Sequence, residues 1–257
     1  MNKKIIGIIP ARMESSRFPG KPLEKIHGIP MIGHVYHRSN ACSQLDELWV
    51  ATCNIEIKNY IERIGGNAIM TSNLHERASD RIAEALNKIE KMRKMVYDII
   101  VLIQGDEPML VPDMIKSAVD PLINSNNVEV SNLMSKLQNK EEHDDPNEVK
   151  VVVDKQKNAL YFSREPIPSG KKYDKDLPMF KQVCIIPFKR ECLLSYTKLK
   201  PTPLEIIESV DMNRLLENGK KVRMVYSDYK SYAVDTKEDL IRVESIMKSD
   251  SLMKDYI

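Results

Sequence analysis

The chain opens on an apolar run, Ile5 to Ile9, that stops at Pro10, and strand-like and helix-like spacings then alternate through residue 125. The first run has strand length and β-branched content. A helix over 30–40 places Met31, Ile32, Val35 and Tyr36 on one stripe. Leu48–Thr52 reads as strand, 55–64 as helix through Ile57, Ile61 and Ile64, and Ala68–Thr71 as strand. The spacing of Ile82, Ala83, Leu86 and Ile89 predicts a helix over 79–91. Ile99–Ile103 is a strand, and Pro112 opens a helix over 112–123. Alternation of this kind predicts an α/β fold, a mainly parallel sheet with helices on both faces. Such sheets bind ligands at the carboxyl ends of their strands.

From about residue 128 the rhythm changes to successive strand patterns, at 129–135, 148–154, 158–163 and 181–187. They are joined by the polar stretches NKEEHDDPNE and SGKKYDKDLP, and together predict an antiparallel extension. The mixed-charge runs Lys140–Asp145 and Lys171–Asp176 read as solvated loops. A helix over 203–218 starts with Thr202 and Glu205 at capping-box spacing. A strand at 222–226, a short strand ending at Val234 and a helix over 237–248 complete the pattern.

Composition narrows the function classes. With 257 residues and 42% hydrophobic content, the chain suits one α/β domain, or one domain with a modest appended lobe, and no apolar stretch approaches membrane-spanning length. MNKK and the five largely apolar residues after it are too short for a signal sequence. A net charge of +2 argues against a nucleic-acid surface. Cys42, Cys53, Cys184 and Cys192 lack CxxC spacing, and the five histidines form no HxH or HExxH, so zinc has little support. Unpaired thiols lead us to expect a reducing, cytoplasmic setting.

Residues 5–22, IIGIIPARMESSRFPGKP, concentrate the candidate chemistry. The loop after the first strand gathers Arg12, Arg17 and Lys21 around Ser15, Ser16 and Gly20. Three long cations at the carboxyl edge of a buried strand, beside a glycine and two hydroxyls, suit a polyphosphate cradle. A basic surface loop is the plainer reading of the same residues. Neither GxxxxGK[ST] nor GxGxxG is present. Two carboxylates also stand out. Asp106 follows the 99–103 strand directly after Gly105, and Asp235 ends the run Tyr232-Ala233-Val234 just before Thr236, a cap for the last helix. Both fall where a parallel sheet presents its ligand face. Their plainer roles are a turn residue for Asp106 and a partner of the cap for Asp235.

The pattern A-R-x-x-S-x-R-x-P-G-K-P, here Ala11-Arg12…Ser15…Arg17…Pro19-Gly20-Lys21-Pro22, resembles the signature of sugar-acid cytidylyltransferases. It is most similar to the 3-deoxy-manno-octulosonate (KDO) cytidylyltransferases. VATCN (50–54), QGDEP (104–108), EVKVVVD (148–154), ALYFSREPIP (159–168), PTPLEIIE (201–208) and AVDTKEDLIRVE (233–244) extend the likeness from residue 5 to about 247. The resemblance implies a three-layer, Rossmann-like nucleotide-diphospho-sugar transferase sheet with a small antiparallel dimerisation lobe. It implies one domain over 1–250, with a nucleotide-binding half (1–127), a sugar-binding and dimerisation part (128–200) and a C-terminal part (201–250) completing the site.

The implied reaction is in-line attack by the anomeric hydroxyl of a keto-sugar acid on the α-phosphate of CTP, expelling pyrophosphate. By the same resemblance Asp106 and Asp235 hold Mg²⁺, Arg12 and Lys21 stabilise charge on the triphosphate, and Arg17 fixes its tail. Pro10, Ala11 and Ser79 are the implied nucleotide contacts. Gln104 faces base or sugar, or is a buried structural amide. Gln182, Glu208, Asp211 and Met212 are the implied sugar contacts. A homodimer is implied, with neither nucleic acid nor membrane as partner.

The chain departs from the family pattern in places. H-x-S-G-T-[DE]-R stands here as His75-Glu76-Arg77-Ala78-Ser79-Asp80-Arg81, so Arg77 and Ala78 replace the Ser-Gly pair. R-H-L-G-I-Y-G-Y stands as Lys181 to Phe188, with Gln182 for the histidine and Ile186 for the tyrosine. E-Q-L-R reads Asp211-Met212-Asn213-Arg214, placing Met212 where a glutamine would hydrogen-bond sugar hydroxyls. Phosphate and metal segments are intact while sugar segments are altered. The expected acid is therefore KDO or a relative, such as 8-amino-KDO or another capsular or sialic-type acid. A non-catalytic CTP-binding relative would have no need of two metal carboxylates. An aldose-1-phosphate nucleotidyltransferase would start with G-G-x-G, whereas residues 10–21 contain only Gly20.

Overall fold

The structure, a computed structural model, describes residues 3–14, 17–170 and 178–257. Ser15, Ser16 and the run Lys171–Asp176 lie outside the described residues. The chain forms two compact units, Met1–Lys116 with Ser231–Ile257, and Ser117–Lys230.

The first unit follows the predicted alternation. β1 (Ile5–Ala11) leads through a 3₁₀ turn (Lys21–Leu23) into a hairpin of β2 (Lys25–Ile26) and β3 (Ile29–Pro30). His27 and Gly28, at φ 47 and 85, supply the two left-handed residues that a tight two-residue hairpin demands. Then come α1 (Met31–Asn40), β4 (Glu47–Thr52), α2 (Ile55–Arg63), β5 (Asn67–Met70), α3 (Ala78–Arg93) and β6 (Ile99–Ile103). β1 pairs in parallel with both β4 and β6, and β4 in parallel with β5, so the order is β6-β1-β4-β5. Every residue of β6 is buried, as a strand covered on both faces requires, which explains its uninterrupted apolar sequence. α4 (Pro112–Asn124) carries the boundary between the units.

The second unit contains β7 (Ser131–Lys136), α5 (Lys140–Asp144), β8 (Lys150–Val153), β9 (Ala159–Ser163), β10 (Phe180–Val183) and β11 (Ile185–Lys189). α6 (Arg190–Tyr196), α7 (Pro203–Glu208), α8 (Asp211–Glu217) and β12 (Arg223–Tyr226) follow. One sheet runs β12-β7-β10-β8-β9, antiparallel except for the parallel β12–β7 pair.

Several local expectations need correction here. The strand expected at 181–187 is two strands parted at Cys184. The helix expected over 203–218 breaks at Ser209, which takes a left-handed conformation (φ 54) and reorients the chain into α8. Glu205 does reach back to the Thr202 N–H at 3.2 Å, as the capping box requires. Part of the run Lys140–Asp145 is the short helix α5, because the Asn139 carboxamide caps it by accepting from the Glu142 N–H at 2.8 Å.

Ser231 returns the chain to the first unit. The strand expected up to Val234 is an extended segment outside any ladder, since the Val234 N–H spends its bond on the carbonyl of Asp106, a loop residue, at 3.0 Å. α9 (Lys237–Met247) opens with a complete capping box between Thr236 and Asp239. Val234, Val243, Met247 and Met253 pack with Phe18, Ile26 and Met31 in one buried cluster. Fully burying each such side chain is worth about 2 kcal/mol, so this cluster fixes both chain segments that flank the candidate site. Beyond α9, Asp250 pairs with Arg38 at 2.8 Å, and Tyr256 accepts from Arg38 Nε at 3.0 Å.

Candidate active site

β1 delivers Pro10 and buried Ala11 to the carboxyl edge of the first unit's sheet. β6 ends beside it and hands over to half-buried Gln104, then Gly105 and Asp106. A Cβ on Gly105 would lie 3.0 Å from the Pro10 carbonyl oxygen, a tight contact that the backbone there would have to relieve, so glycine suits this close approach of the loop to β1. Gly20, at φ 78, turns the chain after the basic loop and donates its N–H to the Met13 carbonyl at 3.0 Å. Lys21 follows at the start of the 3₁₀ turn.

Lys21, Asp106 and Asp235 meet at one point. The Lys21 Nζ lies 3.0 Å from Asp106 Oδ2, 3.2 Å from Asp235 Oδ1 and 2.6 Å from the Val234 carbonyl oxygen. These three acceptors use all three donors of the ammonium. Burial alone would depress the lysine's pKa, but the charges of Asp106 and Asp235 outweigh it and raise it, so the group stays cationic. Arg17 Nη2 joins the cluster at 3.0 Å from the same Asp235 oxygen. The backbone behind Asp235 is fixed by α9, because the Asp239 carboxylate accepts the Asp235 N–H at 3.1 Å. Two carboxylates facing one position form a hard-oxygen donor pair of the kind that binds small divalent cations.

Arg12 lies elsewhere on the loop. Its exposed guanidinium donates to the His75 carbonyl at 3.4 Å, tying the basic loop to the 71–77 segment. That segment is held from α3. Arg81, buried, donates to Thr71 Oγ1 at 2.7 Å and to the Ser72 carbonyl at 3.1 Å. Glu84 accepts from the Ser72 N–H at 2.9 Å, from His75 and from Lys88, and despite the opposing effect of burial these partners lower its pKa to about 2. Ser79 is fully buried in the first turn of α3, Arg77 takes the extended cap position, and Ala78 is the first helical residue.

Four residues implied for the sugar lie in the second unit. The Gln182 amide on β10 donates to Asn132 Oδ1 at 2.6 Å. Glu208, closing α7, accepts from the Tyr161 hydroxyl (2.7 Å), the Ser163 hydroxyl (2.8 Å) and the Arg164 N–H (2.7 Å). Burial works to raise the Glu208 pKa, and these donors overcome it to hold it below the ordinary value. Asp211 and Met212 open α8, with Met212 closed off from solvent.

Sequence reasoning passed over two residues that shape this site. Gly105 was read only as the neighbour of Asp106, although a glycine between a buried strand and an aspartate signals close backbone approach. Glu107 was unassigned within QGDEP. The residue is 5% exposed, and its carboxylate accepts from the Ser231 hydroxyl at 2.7 Å.

Comparison with known proteins shows the family. Residues 6–222 match a family model described as cytidylyltransferase. A 3-deoxy-manno-octulosonate cytidylyltransferase of Fusobacterium nucleatum subsp. nucleatum is 42% identical over 249 residues, 97% of this chain and 99% of its own length. One from Geobacter metallireducens is 39% identical over 250 residues, covering 93% and 96%. A solved CMP:2-keto-3-deoxy-manno-octonic acid synthetase in complex with CTP superposes with a TM-score of 0.86 at 36% identity, covering 96% of this chain and 99% of that one. With a parallel α/β sheet, a basic loop and paired aspartates at its carboxyl edge, and relatives alike over nearly the whole length, the chain belongs to the cytidylyltransferase family of nucleotidyltransferases.

Proposed function

We propose that this protein transfers CMP from CTP to the anomeric hydroxyl of a 3-deoxy-2-keto sugar acid, KDO or a close relative, with release of pyrophosphate. The observation that carries the reading is the meeting of Lys21, Asp106 and Asp235 within hydrogen-bond distance of one ammonium nitrogen. Among the described residues no group of three or more His, Cys, Asp or Glu side chains gathers as a metal-ligand set. The donor pair nonetheless fits Mg²⁺, which is commonly held by one or two carboxylates and completes its shell with water and substrate phosphate oxygens. Asp106 and Asp235 would hold the ion, which when bound would neutralise charge at the α-phosphate and lower the pKa of the attacking hydroxyl.

The protein's own groups do the rest. Lys21, permanently charged and short of water, places its ammonium where negative charge grows as the α-phosphorus is attacked. Arg17 and Arg12 add positive charge along the same loop, for the departing pyrophosphate portion. Pro10, Ala11 and Ser79 border the nucleotide, and a half-buried Gln104 faces base or sugar. No covalent enzyme intermediate enters this scheme, and none of these residues is arranged as a nucleophile with its base.

The sugar acid is recognised by Gln182, Glu208, Asp211 and Met212 in our reading. Glu208 would act through the hydroxyls and N–H it already orders. Such a protein would work in the cytoplasm, a location consistent with four cysteines that are not joined in disulfides, and as a homodimer built through the antiparallel lobe. Light scattering should give twice the 29.5 kDa chain mass; a particle of one chain would remove the dimer. Mixing the protein with CTP, Mg²⁺ and, in turn, KDO, 8-amino-KDO and a sialic acid should release pyrophosphate with at least one acid. Release with none of them would overturn the proposal, and binding of CTP without turnover would favour a non-catalytic relative.

A further inference from the structure

Asp106 and Asp235 come from segments far apart in the chain, and the Lys21 bridge between them is not enough to fix their separation. A lysine that turns to a phosphate releases both carboxylates. Something else must hold them in register.

Hydrogen-bond rungs link the segments. The Ser231 hydroxyl donates to Glu107 Oε1 at 2.7 Å, and the Val234 N–H donates to the Asp106 carbonyl at 3.0 Å. Each rung joins a residue of the Gln104–Pro108 loop to the stretch that ends at Asp235. The loop side packs closely on β1, where a Cβ on Gly105 would meet the Pro10 carbonyl oxygen at 3.0 Å. On the other side, buried Val234 and the bond from the Asp235 N–H to Asp239 anchor the end of the Ser231–Asp235 stretch, and Ser231 anchors its start. Glu107 is the tether on that side. Glu107 is only 5% exposed as a residue, and a buried carboxylate is costly unless it accepts hydrogen bonds; the reaction scheme gives it no other work.

We propose that Glu107 and Ser231 are positioning residues that set the spacing of Asp106 and Asp235, and so tune the affinity of that pair for a divalent cation. Neither touches the cation. Both act through the aspartates, as outer hydrogen-bond partners of metal-binding groups do. The inference rests on the reading of Asp106 and Asp235 as the ion-holding pair.

Mn²⁺ alone, titrated into the full-length protein without nucleotide and followed by electron paramagnetic resonance, tests it. Glu107→Ala and Ser231→Ala should each weaken Mn²⁺ binding about tenfold. Glu107→Gln, whose amide oxygen accepts the same bond, should bind like the parent protein. Asp235→Asn should lose the site. Parent-like Mn²⁺ binding by Asp235→Asn would refute the underlying reading of the pair. Loss with Asp235→Asn but parent-like affinity in both alanine variants would refute the positioning role alone. Weakening by Glu107→Gln as large as by Glu107→Ala would also refute it, since charge rather than the bond to Ser231 would then matter. Circular dichroism checks each fold, and if Glu107→Ala does not fold, Ser231→Ala decides.

Discussion

The ammonium of Lys21 sits 3.0 Å from Asp106 Oδ2, with the lysine side chain 12% exposed and the aspartate 18%. In the protein without nucleotide, Lys21 thus occupies the position between the two carboxylates that a cation would need. It serves there as a built-in counterion. Lys21→Met should therefore do two opposite things. Turnover should fall by roughly a hundredfold or more, the effect of about 3 kcal/mol of lost charge stabilisation. Mn²⁺ binding to the nucleotide-free protein should strengthen, because the competing charge has gone. A variant that loses turnover and also binds Mn²⁺ more weakly would contradict this picture of exchange.

The tail beyond α9 gives a pH-dependent prediction. His34 Nε2 lies 2.9 Å from the Ile26 carbonyl, which can only accept, so Nε2 carries the proton and Nδ1 accepts from the Tyr256 hydroxyl at 2.9 Å. Burial, chiefly, and the neighbouring cations lower the His34 pKa from 6.5 to about 4. In the unfolded chain His34 takes up its proton near 6.5, while in the folded chain it waits until about 4. Between those values the unfolded state binds the extra proton, so stability is full above 6.5 and falls as pH drops through this window. The slope is at most about 1.4 kcal/mol per pH unit. Urea midpoints at pH 7 and pH 5 should show this loss in the parent protein and a smaller one in His34→Gln. Equal losses would contradict it. Glu84 does not blur the test, because its contribution is present above its unfolded value of 4.5 and is lost only as pH falls toward about 2.

In the second unit, Arg214 Nε and Nη2 each lie 2.6 Å from an oxygen of Glu205, and the guanidinium sits 4.3 Å from the centre of the Tyr196 ring. Glu205 is 0% exposed and Arg214 3%. Removing one partner of such a pair strands the other charge in the interior, at about 3–5 kcal/mol. Glu205→Ala should lower the urea-derived stability by that amount, and a loss below about 1 kcal/mol would show that the pair is not desolvated.

The proposed part of Met212 in sugar choice can be tested. Its side chain is closed off from solvent on α8, so Met212→Gln introduces an amide that needs a partner. A sugar hydroxyl could supply it. The variant should lose about 1–3 kcal/mol of stability without ligand and shift its kcat/KM ratio between KDO and other acids. An unchanged ratio would remove this helix from the account of specificity.

The sequence exposed the parallel sheet well because β1, β4 and β6 are apolar runs bounded by prolines, glycines and polar loops, and α1 to α3 keep a helical stripe. The basic loop and both aspartates were also legible, since each follows an apolar run at its carboxyl end. What stayed hidden depends on non-local pairing. Nothing in Tyr232-Ala233-Val234 says that the Val234 N–H meets a loop rather than a strand. Glu107 looks like a surface acid until Ser231, remote in the chain, is placed beside it. Ser209 gives no local sign that it will take a left-handed turn and split one expected helix into two. Lys140–Asp144 of the expected loop is helical because Asn139 caps it, a signal readable only once a helix is considered there.

The account turns on Asp106 and Asp235 acting together at Lys21. Pyrophosphate release from CTP with Mg²⁺ and an accepted sugar acid, measured for the parent protein, Asp106→Asn and Asp235→Asn at matched folded concentration, tests it most directly. We expect each variant to fall by at least about a hundredfold, with its circular dichroism spectrum unchanged. Release at the parent rate by either folded variant would contradict the account.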